Sequence, residues 1–104
     1  MLKYKNYEVE FVINEYQVGG GMAIQMMDVH DGMPIAICTV NIKEVDLAED
    51  EVLIKNYSEN EGMLEWFKEN GFVKEVVDYV DNNFVTIPKV KLNMEEIEKY
   101  TSSF

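Results

Sequence analysis

Tyr7, Val9, Phe11 and Ile13 alternate with Glu8, Glu10 and Asn14, the period of two that predicts a half-buried strand. Gly19-Gly20-Gly21 interrupts the pattern and predicts a turn. A second apolar run, 22–29, stops at His30-Asp31-Gly32-Met33-Pro34. Asp-Gly between two β-like runs signals a hairpin, with Pro34 placed where the ladder needs no donor. Residues 35–42 are apolar on both faces and predict a third, central strand, and Val52-Leu53-Ile54 predicts a short fourth.

The period then changes. Ser58-Glu59-Asn60-Glu61 matches a capping box, with Ser58 as N-cap and Glu61 at N3. The predicted helix runs over 59–70 and stops at Gly71, a natural C′ residue. At 100° per residue, Met63, Trp66 and Phe67 share its buried face, with Leu64 at the margin and Glu61, Glu65 and Glu69 opposite. Residues 72–80 and 84–91 predict two more strands around Asp81-Asn82-Asn83, and Pro88 favours an edge position for the second. Asn93 as N-cap, Glu96 at N3 and a Leu92–Ile97 staple predict a closing helix to about Tyr100. The order β-β-β-(β)-α-β-β-α implies an α+β single domain over 1–104. Its antiparallel sheet would carry the main helix and the short C-terminal helix on one face.

Charge sharpens this picture. Between Glu44 and Asp81 twelve acids face three lysines, a net −9 out of −11 for the whole chain, and arginine is absent. A pI near 4.3 excludes a nucleic-acid binder, which needs a basic face. A concentrated negative field attracts basic proteins and repels anionic membrane. With apolar residues at 47 % the chain has the means to build a core, so the acidity belongs to a surface. Cys38 is the single cysteine, no leader-like segment opens the sequence and no run approaches a membrane span. A reducing cytosol is the expected compartment.

Several chemistries are considered and set aside. Asp28, His30 and Asp31 bring the one histidine beside two carboxylates, but a metal site needs three or four supported ligands, and a solvated turn is expected. Cys38, placed opposite Met26, would lie about four residues, ~13 Å, from His30, too far for a nucleophilic pair. It is expected as a small buried hydrophobe. The triple glycine lacks the Lys-Ser/Thr and the helix of a phosphate loop. Without arginine there is no bidentate clamp for an anionic substrate. No enzyme activity, cofactor or metal is expected. Met22, Met26, Met27 and Met33 fit either an adaptable surface or a core, and the core is the expectation.

Glu61, Glu65 and Glu69 stand one helical turn, about 6 Å, apart. Like charges at i, i+4 destabilise a helix by a few tenths of a kcal/mol per pair. Two readings stay open: a solvated face, or a ridge that joins Glu49, Asp50 and Glu51 and docks into a basic groove.

Met22-Ala23-Ile24-Gln25-Met26, Asp31-Gly32-Met33-Pro34-Ile35-Ala36 and Thr39-Val40-Asn41-Ile42, with Trp66-Phe67-Lys68-Glu69-Asn70-Gly71 and Thr86-Ile87-Pro88, resemble a family of small proteins carried by phages, plasmids and conjugative elements of Gram-positive bacteria. Lys55 to Asn60 departs from the family's pattern before the helix. The resemblance supplies context and no catalytic residues. Small acidic proteins of mobile elements often inhibit host defence. The expectation is therefore a non-enzymatic inhibitor in the host cytosol, monomer or homodimer. It would bind a basic nucleic-acid-handling protein, a CRISPR effector foremost, without touching nucleic acid or membrane. The partner-binding residues would be Glu49, Asp50, Glu51, Glu61, Glu65 and Glu69. The alternative is an accessory or regulatory module acting through a sheet edge or apolar face.

Overall fold

A computed structural model describes residues 1–17 and 21–101. The expected turn at Gly19 and Gly20 lies outside the described residues; Gly21 is described and adopts φ +89°. The elements run β1 (Lys3–Tyr4), β2 (Tyr7–Glu15), β3 (Met22–Asp28), β4 (Pro34–Ile37), β5 (Thr39–Val40), β6 (Glu51–Ile54), a 3-10 turn (Ser58–Asn60), α1 (Met63–Glu69), β7 (Val73–Asn82), β8 (Val85–Leu92) and α2 (Met94–Glu98). The class is α+β, mostly antiparallel sheet with two small helices. The described strands form two four-stranded sheets, ordered β1-β2-β3-β4 and β5-β6-β8-β7, where one sheet was expected.

The division falls inside the run predicted as a central strand. The Cys38 N–H donates to the Ile24 carbonyl at 2.9 Å, and its carbonyl accepts the Lys55 N–H at 2.8 Å. One residue thus touches β3 of the first sheet and the end of β6 in the second. Beyond it Thr39, buried, accepts the Ile24 N–H on Oγ1 at 3.2 Å and shares a 2.9 Å hydrogen bond with the Tyr16 hydroxyl. A run apolar on both faces suits a strand that switches sheets as well as a central one. Here β4 and β5 are both edge strands. Pairing of Met26 with Ala36 and Gln25 with Ile37 places Cys38 against Ile24, two residues from the expected Met26.

Both sheets and both helices feed one core. Val9, Phe11, Ile24 and Met26 meet Val52, Ile54, Val90 and Leu92, with Met63, Leu64 and Phe67 from α1 and Ile97 from α2. Phe11 is its hub, with ring centroids 5.3 Å from Phe72, 5.9 Å from Phe67 and 6.2 Å from Trp66. Burying each such ring contributes about 1.5–3 kcal/mol. Trp66 lies at the rim, and its Nε1–H donates to the Lys3 carbonyl at 2.9 Å, fastening β1 to the helix. Of the methionines, Met26 is core and Met22 packs against it, whereas Met33 stands exposed in its turn.

The capping box does not form, and the helix is shorter than 59–70. Ser58 sits at φ +54° without a cap bond, Gly62 at φ +92° opens α1, and the Leu64 N–H donates to Asn56 Oδ1 at 2.9 Å. Glycine is a poor interior helix residue, and Asn56 supplies the missing acceptor, so the chain breaks at 62. Asn60 is drawn inward, its Nδ2 donating to the Ile37 carbonyl at 2.6 Å. The other end agrees with expectation: Gly71 takes φ +76° and the Phe72 N–H returns to the Phe67 carbonyl at 2.9 Å. Asn93 likewise makes no side-chain cap bond at α2.

Pro88 does not mark an edge, because β8 lies between β6 and β7. The β6 ladder ends at Leu53↔Lys89, one residue before the proline, so the missing N–H falls where that ladder stops. Beyond it β7 and β8 continue as a two-stranded ribbon through Val80↔Ile87, Asp81↔Thr86 and Asn82↔Val85.

Candidate interaction surface

Of the three glutamates predicted as a helical stripe, two are on a helix. Glu65 and Glu69 are exposed on α1, whereas Glu61 precedes Gly62 and belongs to the 3-10 turn's end. The i, i+4 relation therefore holds for Glu65 and Glu69 alone. Lys68 Nζ lies 3.8 Å from Glu65 Oε1, and no ion pair reaches Glu61 or Glu69 among the described residues.

The second acidic group behaves differently. Glu51 opens β6, its Oε1 accepts the Ala48 N–H at 2.9 Å, and Lys89 Nζ stands 3.6 Å from it. Lys91 Nζ lies 3.9 Å from Asp50 Oδ2, while the Asp50 carbonyl accepts the Leu92 N–H at 2.8 Å. Across the sheet Glu51 and Glu75 both pair with Lys91, and Asp78 pairs with Lys89. The two β8 lysines thus sit between acids of both neighbouring strands, the opposite-charge arrangement that supports a sheet. Glu49 is exposed and lines a cleft of about 570 Å³ with Ile13, Met22 and Leu47. Among the described residues it has no ion pair. Of the six acids, Glu49, Glu61 and Glu69 carry unbalanced charge, and Asp50 and Glu51 are engaged within the sheet.

Other candidate chemistry resolves locally. His30 Nε2 is 3.0 Å from Glu8 Oε1, and the His30 backbone N–H donates to Asp28 Oδ1 at 2.8 Å, so Asp28 shapes the turn. No group of three or more His, Cys, Asp or Glu among the described residues is arranged to hold a metal ion. Cys38 is wholly buried, and burial pushes its thiol up to about 12. No helix among the described residues is long and apolar enough to cross a membrane.

One feature escaped the sequence reading. Phe84, predicted to begin a strand, is in the two-residue turn Asn83-Phe84, with Asn83 at φ +57° and the phenyl ring fully exposed. Tyr79 is 57 % exposed and Val77 38 % exposed on the adjoining strand. The Asn82-Asn83 pair is the signal that could have found it, because asparagine tolerates the positive φ of a tight hairpin turn and a side chain there faces solvent.

Comparison with protein-family models, curated proteins and solved structures finds no match to the chain.

Proposed function

We propose that the chain is a non-enzymatic inhibitor that docks, through its acidic surface, onto the nucleic-acid-binding site of a basic host-defence protein. The resemblance to proteins of mobile elements points to a CRISPR effector as the partner and to the host bacterial cytosol as the place. The observation that carries the reading is the set of exposed carboxylates without cations, Glu61, Glu69 and Glu49, in a chain of net charge −11. Uncompensated charge contributes nothing to α1, where Glu65 and Glu69 repel. It would contribute to attraction by a phosphate-binding groove, giving fast, salt-sensitive association. Asp50 and Glu51 would join only in so far as Lys89 and Lys91 release them.

The test is binding of the purified chain to a purified guide-RNA-loaded CRISPR nuclease, with and without competing DNA. Wild type should bind, compete with DNA and weaken steeply with salt, and Glu61→Lys, Glu65→Lys, Glu69→Lys together should abolish binding while the melting curve keeps its form. Undiminished binding by that triple variant would remove the acidic surface from the account.

A second reading is an accessory module acting through an apolar surface, and the exposed Val77, Tyr79 and Phe84 favour it. Its mark would be association that persists when salt screens the charges.

A further inference from the structure

Among the described residues, the ribbon formed by the far ends of β7 and β8 has no partner strand beyond the end of the β6 ladder at Lys89. Its tip carries a fully exposed phenylalanine, and Tyr79 stands exposed on the strand leading to it. Tyr79 lies on the same face of β7 as Asp81, whose Oδ1 accepts the Thr86 hydroxyl at 3.0 Å and so braces the two strands. Phe84 is about 13 Å further along the ribbon. Neither ring is in the core. A fully exposed phenyl leaves its apolar area in water and adds nothing to folding by burial.

The charge of the ribbon is as specific as its rings. Residues 75–88 hold Glu75, Asp78 and Asp81 and no lysine. An edge strand with bulges at Lys74 and Val77 and charges between them is poorly suited to adding another strand. Pairing with a second copy would bring together two acidic ribbons on chains of net charge −11. The same acids oppose a phosphate backbone or an anionic membrane, even though aromatic rings serve both in other settings. What remains complementary is a protein surface with apolar pockets inside a basic rim. Buried aromatic anchors surrounded by polar contacts are the arrangement that dominates binding energy at protein interfaces.

We propose that the β7–β8 hairpin is a docking element that inserts Phe84 and Tyr79 into apolar pockets of a basic protein, with Asp78 and Asp81 facing the cations around them. The inference rests on the proposed class of partner but not on the glutamates of α1. It adds an apolar contribution that slows dissociation, which charge alone would not supply.

The experiment uses the full chain as bait against the purified guide-RNA-loaded nuclease and, in parallel, against host lysate. Washes are at low salt and at about 0.5 M, where the screening length falls to a few ångströms. Three baits are compared: wild type, Tyr79→Ser with Phe84→Ser, and the Glu61, Glu65, Glu69 lysine variant. The expected result is a basic protein that wild type retains at low salt and holds in reduced amount after the high-salt wash, with the hairpin variant retaining at least tenfold less of it in both washes. Both residues are exposed, so that variant should melt with wild type. Equal retention by the hairpin variant overturns the proposal, as does retention of only acidic proteins, retention of nothing, or a wild-type homodimer in sedimentation that the serines dissociate. Loss of binding in the lysine variant alone supports the acidic ridge and overturns the hairpin. Loss in the hairpin variant alone does the reverse.

Discussion

Lys89 Nζ stands 3.6 Å from Glu51 Oε1, joining a lysine from outside the acidic stretch 44–81 to a glutamate inside it. Lys91 does the same for Asp50 at 3.9 Å. Strand pairing, with β8 between β6 and β7, folds these cations back onto the most acidic part of the chain. The linear count of −9 therefore overstates the charge that Asp50 and Glu51 present, whereas among the six predicted partner-binding acids Glu61, Glu69 and Glu49 have no ion pair among the described residues.

Removing the two cations should expose the hidden pair. Lys89→Gln with Lys91→Gln should change stability by less than about 1 kcal/mol, since partly exposed ion pairs contribute little. Affinity for the guide-RNA-loaded nuclease should rise about two- to tenfold at low salt and revert at high salt. Biolayer interferometry across a salt series reads this directly. An unchanged affinity would place Asp50 and Glu51 away from the interface.

Local patterning was legible where one residue type has one role. The alternation of Val9 and Phe11, the stop at Gly71, the Asp31-Gly32 turn with φ +71° at Gly32, and the buried Met63 and Phe67 all read directly from the sequence. What did not read was anything decided by distant partners. Residues 35–42 look the same whether they cross one sheet or turn from one to another at Cys38, because the determining bonds run to Ile24 and Lys55. Ser58 satisfies the capping pattern, yet Asn56 reaches Leu64, and no spacing rule ranks the two acceptors. The candidate surface suffered most: its carboxylates could be picked out as charges, but the pairing of Asp50 and Glu51 with the β8 lysines depends on sheet order.

The displaced cap yields a discriminating pair of variants. Asn56→Ala should destabilise the protein by about 1 kcal/mol, the usual effect of losing a side-chain acceptor at a helix start. Ser58→Ala should leave stability nearly unchanged, because its hydroxyl makes no cap bond. Ser58→Gly should be neutral or slightly stabilising, as glycine relieves the positive φ of +54°. Urea melts at one temperature measure all three. The opposite ranking of Asn56 and Ser58 would restore the continuous helix.

Thr39 predicts the strength of the corner between the sheets. Its Oγ1 accepts the Ile24 N–H and meets the Tyr16 hydroxyl in a buried setting. Thr39→Val keeps the shape but leaves a backbone donor unsatisfied, so it should destabilise by about 1–3 kcal/mol. Tyr16→Phe removes one partner of a part-buried bond and should do so by about 0.5–1.5 kcal/mol. In the double variant the two effects should fall short of additivity, since they share one hydroxyl. Additive losses would show that Tyr16 acts elsewhere.

Cys38 gives the corner a pH signature. Burial raises its thiol from the ordinary 9.0 to about 12 in the native state. Below about pH 9 native and unfolded chains both hold the proton, and stability is independent of this group. Between 9 and about 12 the unfolded chain releases the proton while the native chain keeps it, so the unfolded state binds fewer protons and stability falls as pH rises. The slope from this group should approach about 1.4 kcal/mol per pH unit. Tyr4 is raised as well, by burial first and then by Cys38 and Glu59, and adds its own decline above pH 10.0. Cys38→Ala isolates the thiol: the variant should be less stable at neutral pH through the cavity it leaves, yet its stability should fall less steeply from pH 9 to 10. The same burial should protect the wild-type thiol from a disulfide reagent such as Ellman's at pH 8, with reaction paced by global unfolding. Prompt modification under native conditions, or equal alkaline slopes in the two chains, would mean that Cys38 is not sealed between the sheets.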